Sequence, residues 1–152
     1  MGKIYYWCPD YTSPVGGVRV IYRHVDILNG NGIQASILHR HRGFRCEWFE
    51  NVTTISYIRN TALAYSDYLV IPENYASLYD SPTQRPSASR LFQKVFLTPA
   101  KKIIFNQNSY NTFRGQSFGK NDLKSVYQDR NVIATLVVSE DNSEYLKFSF
   151  PN

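Results

Sequence analysis

The sequence is poor in cysteine and methionine, and it holds no long apolar run. Its 152 residues contain two cysteines and one methionine. Cys8 and Cys46 are too few for a disulfide framework, and no Cys-x-x-Cys pair exists to hold zinc or exchange electrons. No stretch approaches the roughly 18 apolar residues of a bilayer-spanning helix. The opening, Met1 to Cys8, lacks the apolar core of a secretion signal, so a reducing cytosol is the expected compartment. Disulfides are rare there, and a Cys8–Cys46 bond is not expected. Neither Gly-x-Gly-x-x-Gly nor the Gly-Lys-Ser/Thr of a P-loop occurs, which leaves a nicotinamide dinucleotide site unsupported. There is no repeat and no low-complexity tract.

What remains is ordinary globular material. The length is about one domain's worth, enough to bury about two-thirds of the unfolded surface without metals or disulfides. Hydrophobic residues make up 43% and charged residues 19%, a balance that argues against disorder. Tyrosine is the main aromatic, 12 residues against nine Phe and two Trp. Its polar tip suits half-buried and cleft positions. Lys and Arg outnumber Asp and Glu by 17 to 12, giving +5. That surplus permits anionic partners such as nucleotides, phospholipids or nucleic acid, but selects none. The basic residues are spread out and no RRM, KH or helix-turn-helix pattern occurs, so no nucleic-acid partner is expected.

Short apolar runs alternate with helical patterns. Residues 3–8 read as a buried strand closed by Pro9. After a loop, Val18, Ile21, Val25 and Leu28 recur at spacings of three and four, as on one face of a helix that Asn29-Gly30-Asn31-Gly32 stops. Residues 33–38 read as a second strand, completing a βαβ outline. Further strands are expected at 52–57, 67–72, 101–106 and 132–138. Helical pieces are expected at 89–96, at 122–127 with Asp122 as cap, and at 142–148 behind Ser139. The stretches 60–66, 75–88 and 111–121 read as connections. The whole predicts an α/β fold in a single domain, with a mostly parallel sheet and helices on both faces. In such sheets ligands sit beyond the carboxyl ends of the strands. The candidates are therefore the residues that follow each strand.

Gly16-Gly17 follows the first strand and opens the first helix. Free amides there attract anions; a simple tight turn explains the glycines equally. Asn106-Gln107-Asn108-Ser109-Tyr110 offers amides and hydroxyls suited to sugar hydroxyls, with Tyr110 able to pack on a ring. The alternative is a polar turn satisfying its own backbone. Glu73 directly follows a strand and could accept hydrogen bonds from a sugar, serve as a base, or merely begin a helix; Asp10 and Glu140 are weaker versions. His39-Arg40-His41-Arg42, with Arg45, reads as a solvated basic face that could also meet phosphates. A metal there would need further ligands, and only Cys46 is near in sequence.

The order of these pieces resembles the amino-terminal half of GT-B glycosyltransferases of the family-4 type. The likeness rests on Ser13 to His24 (Ser-Pro-Val-Gly-Gly-Val-Arg-Val-Ile-Tyr-Arg-His) and the turn Asn31-Gly32-Ile33. It continues in Leu69 to Glu73, Ile103 to Asn108, Val138-Ser139-Glu140, Tyr145-Leu146 and Phe150-Pro151-Asn152. It implies one Rossmann-like, acceptor-side domain over residues 1–152, with the donor-binding half outside this chain. It further implies transfer of a sugar from a nucleotide-sugar co-substrate to a hydroxyl on a sugar or glycolipid acceptor, with no metal and no other cofactor. Gly16 and Gly17 would face the donor diphosphate, Gln107, Asn108 and Tyr110 would line the acceptor side, and Ser139 and Glu140 would stand beside the cleft. The family's frequent histidine after the third or fourth strand has no counterpart, Asn106 to Asn108 standing in that neighbourhood, so no catalytic residue is assigned. Alone, this half is expected to be inactive. The alternative is a non-catalytic carbohydrate- or nucleotide-binding domain. Either could touch the inner face of an anionic membrane through its basic side.

Overall fold

The computed structural model describes residues 2–76, 78–79, 86–112 and 125–151. Strands β1 (Ile4–Trp7), β2 (Ala35–His39), β3 (Ile55–Tyr57), β4 (Tyr68–Pro72), β5 (Lys101–Asn106) and β6 (Val132–Val137) form one sheet. Their order is β3-β2-β1-β4-β5-β6, and every pairing is parallel. Helices are α1 (Gly16–Gly30), α2 (Glu73–Ala76), α3 (Pro86–Phe96) and α4 (Glu140–Ser149). The fold is α/β and consistent with a Rossmann-like half-domain.

The strands are apolar on both faces because helices cover both, as a parallel sheet requires. In β1 the side chains alternate. Tyr5 and Trp7 join Leu38, Leu69, Ile71 and Ile104 with Phe92, Val95 and Phe96 of α3. Tyr6 joins Ile37, Val70 and Phe105 on the other face with Val18, Ile21, Tyr22 and Val25 of α1. The stripe expected on α1 is thus the buried one, widened by Tyr22, while Leu28 is half-buried.

Helix α1 ends where the glycine-rich turn predicts. Gly32 adopts φ +77°, a conformation glycine reaches without a Cβ penalty, and the Ile33 amide reaches back to the Leu28 carbonyl at 2.9 Å. The Asn29 side chain then stitches the helix end to β2: its Oδ1 accepts from the Ala35 amide at 2.9 Å and its Nδ2 donates to the Ala35 carbonyl at 3.1 Å. Ser139 caps α4, its Oγ accepting from the Asn142 amide at 3.2 Å.

Several boundaries differ from expectation. β2 begins at Ala35 and runs through His39, which is fully buried, so the basic run does not begin on a solvated face. A single turn of helix, α2, replaces a loop after β4, and α3 starts at Pro86, a residue suited to the first helical position. Residues 60–66 form turns with no helix. Ser125 caps a 3₁₀ turn over Val126–Gln128; the cap expected at Asp122 lies outside the described residues. Strand β6 is an outer strand of the sheet, as β3 is on the other side, and Ile133 and Leu136 within it are exposed.

Candidate functional site

The chain leaves β1 toward β2 on one side and reaches β5 from β4 on the other, so β1 and β4 flank the point where strand order reverses. Such a switch point opens a crevice beyond the strands' carboxyl ends. A cleft of about 440 Å³ lies there. Its walls come from Pro9, Tyr11 and Val15 after β1, from Gly17, Val18, Val20 and Ile21 of α1, and from Pro72 at the end of β4 with Glu73 and Asn74 behind it. Gln107, Asn108 and Asn111 after β5, and Val138 after β6, complete it. Four strand exits thus converge on one cavity.

Of the residues singled out in the sequence, Gly17, Glu73, Gln107 and Asn108 meet in this cleft. A Cβ on Gly17 would stand 3.1 Å from Gln107 Oε1 and 3.2 Å from its Nε2, so the glycine lets the amide head lie against the helix start. That head makes no hydrogen bond among the described residues. The amides of Val18 and Arg19 turn back to the Val15 carbonyl, and among the described residues those of Gly16 and Gly17 have no backbone partner.

Glu73 opens α2 and is only 5% exposed. Its Oε2 accepts from the Gln107 amide at 3.2 Å and its Oε1 from Asn111 Nδ2 at 3.4 Å. Burial pushes its carboxyl above the ordinary glutamate value, and these hydrogen bonds hold it back only in part. A buried carboxyl lining the cleft among side-chain amides is suited to hydrogen bonding with a hydroxyl. Asn111 is a polar cleft residue that sequence reasoning missed, since it sat inside a stretch read as plain loop.

The remaining candidates fall elsewhere. Gly16 is exposed with nothing within 4 Å of a would-be Cβ, and it does not line the cleft. Tyr110 is 92% exposed, thrown outward by the 3₁₀ turn that Asn108 caps by accepting from its amide at 3.0 Å. Ser139 and Glu140 serve the start of α4 and do not line the cleft.

A second constellation flanks the cleft at the exits of β1 and β2. Asp10 accepts four hydrogen bonds: from His39 Nδ1 at 2.8 Å, His41 Nδ1 at 2.6 Å, and the amides of His41 and Arg40 at 2.9 and 3.2 Å. His39 Nε2 lies 2.7 Å from the Tyr22 hydroxyl, which in turn accepts from the Cys46 amide. With Nδ1 donating to Asp10, His39 accepts the Tyr22 proton through Nε2, and every partner in the chain is satisfied. Burial raises the Asp10 carboxyl, but the histidine bonds outweigh it and hold it below the ordinary aspartate value. A His-x-His after one strand and an Asp after its neighbour was the signal available in the sequence.

Cys8 and Cys46 are both buried and free, and burial pushes both thiols upward, away from reactivity. Among the described residues no group of three or more His, Cys, Asp or Glu is placed to hold a metal ion, and no helix is long and apolar enough to cross a membrane. Comparison with family models, curated proteins and solved structures finds no match to this chain.

Proposed function

We propose that this domain is the acceptor side of a nucleotide-sugar-dependent glycosyltransferase. The observation that carries the reading is the cleft at the switch point, where Gly17 in the first turn of α1, the buried Glu73 and Gln107 line one cavity. Helix-start amides suit a diphosphate, and a carboxyl with neighbouring amides suits sugar hydroxyls. The donor half would supply the remaining anchors, so transfer needs both halves.

The test is titration of the domain with a panel of nucleotide-sugars and free sugars, followed by turnover of the domain joined to its donor half. Saturable binding that Gly17→Val and Glu73→Gln weaken supports the reading. A silent panel, with Gly17→Val indistinguishable from the parent, overturns it. One observation favours the non-catalytic alternative: both Glu73 oxygens already accept bonds from within the protein. Binding without transfer in the joined protein would select that alternative.

A further inference from the structure

We propose that Arg40, Arg42 and Arg59 form a phosphate-recognising rim beside the cleft, so that the acceptor carries a phosphate group. Naming the acceptor in this way rests on the glycosyl-transfer reading; the rim itself does not.

Three observations converge. First, all three arginines are exposed at the ligand-binding end of the sheet, Arg40 and Arg42 just after β2 and Arg59 just after β3. The Ile58 amide donates to the His39 carbonyl at 2.9 Å, which holds the two strand exits side by side. Second, among the described residues none of the three guanidinium groups has a carboxylate partner; the ion pairs are Asp10 with the two histidines and Glu144 with Lys147. Asp10 accepts from the Arg40 amide, but its side chain is only 10% exposed and its oxygens are taken by the histidines and two amides. Glu47 and Glu50 are exposed farther along the loop and pair with none of these arginines. Third, the support is stiff. Asp10 grips the amides of residues 40 and 41, the Phe44 amide closes a turn onto the His41 carbonyl at 3.2 Å, and the Phe44 ring packs on His39 at 4.8 Å.

The rim is contiguous with the cleft. Asp10 lies between Pro9 and Tyr11, which both line it. The charge of Arg40 reaches the Tyr75 hydroxyl on α2, partly offsetting the burial that pushes that phenol up. Exposed guanidinium groups on a fixed turn are suited to a planar, multidentate hold on phosphate oxygens, which a carboxylate-paired arginine cannot offer.

The test follows the arginine Nε–H resonances of the domain during titration with inorganic phosphate and, separately, with phosphatidylglycerol vesicles against phosphatidylcholine vesicles. Saturable shifts at Arg40, Arg42 and Arg59 are expected. The double variant Arg40→Gln/Arg42→Gln should weaken binding by about tenfold or more, the equivalent of one charge-assisted bond. Arg19→Gln/Arg23→Gln on α1 removes the same charge and should change it by less than about twofold. Vesicle capture that depends on Arg40 and Arg42 identifies a lipid headgroup; response to soluble phosphate alone identifies a free phosphorylated acceptor. No shift with either probe, or equal weakening by both double variants, overturns the rim. Nucleotide-sugar shifts at Gly17 and Gln107 in the same sample separate the two ideas: a silent cleft with a responsive rim sinks the transfer reading alone, and the reverse sinks the rim alone.

Discussion

Gln107 rests its side-chain amide on the bare backbone of Gly17, with 3.1 Å between Oε1 and the place a Cβ would occupy. Two exits from opposite halves of the sheet meet there, and the contact exists only because residue 17 lacks a side chain. Gly17→Ala should therefore separate stability from binding. Alanine favours the helix by up to about 1 kcal/mol, while Gln107 must yield a few tenths of an ångström. Thermal unfolding should stay within about 1 kcal/mol of the parent. Nucleotide-sugar affinity should fall, and fall further in Gly17→Val. Equal affinity in all three proteins, measured by calorimetric titration, would remove Gly17 from the site.

Glu73 gives a pH signature. Its folded value lies above the ordinary one because of burial. As pH rises, the unfolded chain releases this proton first, so ionisation favours unfolding. Stability should decline from about pH 4.3, the ordinary glutamate value, up to the raised folded value. Each unit of separation is worth about 1.4 kcal/mol. Glu73→Gln should flatten that decline in urea-unfolding series taken across this window. An unchanged slope would contradict the raised value.

Asp10 has the opposite sign. Burial acts to raise it, but the bonds from His39 and His41 prevail and leave it lowered. Its contribution is complete above the ordinary aspartate value and disappears as pH falls through the lowered folded value. Asp10→Asn should cost about 3 kcal/mol near neutrality, because buried donors then face an amide instead of a carboxylate. The deficit should shrink toward strongly acidic pH. Chemical unfolding of both proteins at neutral and acidic pH checks this.

Two glycines predict opposite outcomes. Gly43 adopts φ +86°, so Gly43→Ala should cost about 1–2 kcal/mol. Gly16 has open space where its Cβ would go, so Gly16→Ala should be tolerated with no loss of stability. Melting temperatures of the pair compare the two directly.

Local chemistry made much of this fold legible. Residues 101–106 read as a strand and are one, since two lysines, three apolar residues and a polar exit mark both ends. The α1 stripe and the Ser139 cap were equally plain. Pairings across the sheet were not. His39 looked like the head of a basic surface run because its partners, Asp10 and Tyr22, come from a neighbouring exit and a covering helix. Tyr110 looked like a stacking platform, yet the turn capped by Asn108 points it to solvent. The meeting of Gly17, Glu73 and Gln107 depends on strand order, and spacing along a chain does not encode strand order.

Strand β6 is built from Val132, Ile133, Ala134, Thr135, Leu136 and Val137, with no charge or proline anywhere in it. Among the described residues no strand pairs with its outer border, which leaves peptide groups there for an extended chain, the situation natural sheets guard against with lysine or proline. Purified material should accordingly clump as it is concentrated, and a single Ile133→Lys exchange should keep it clear.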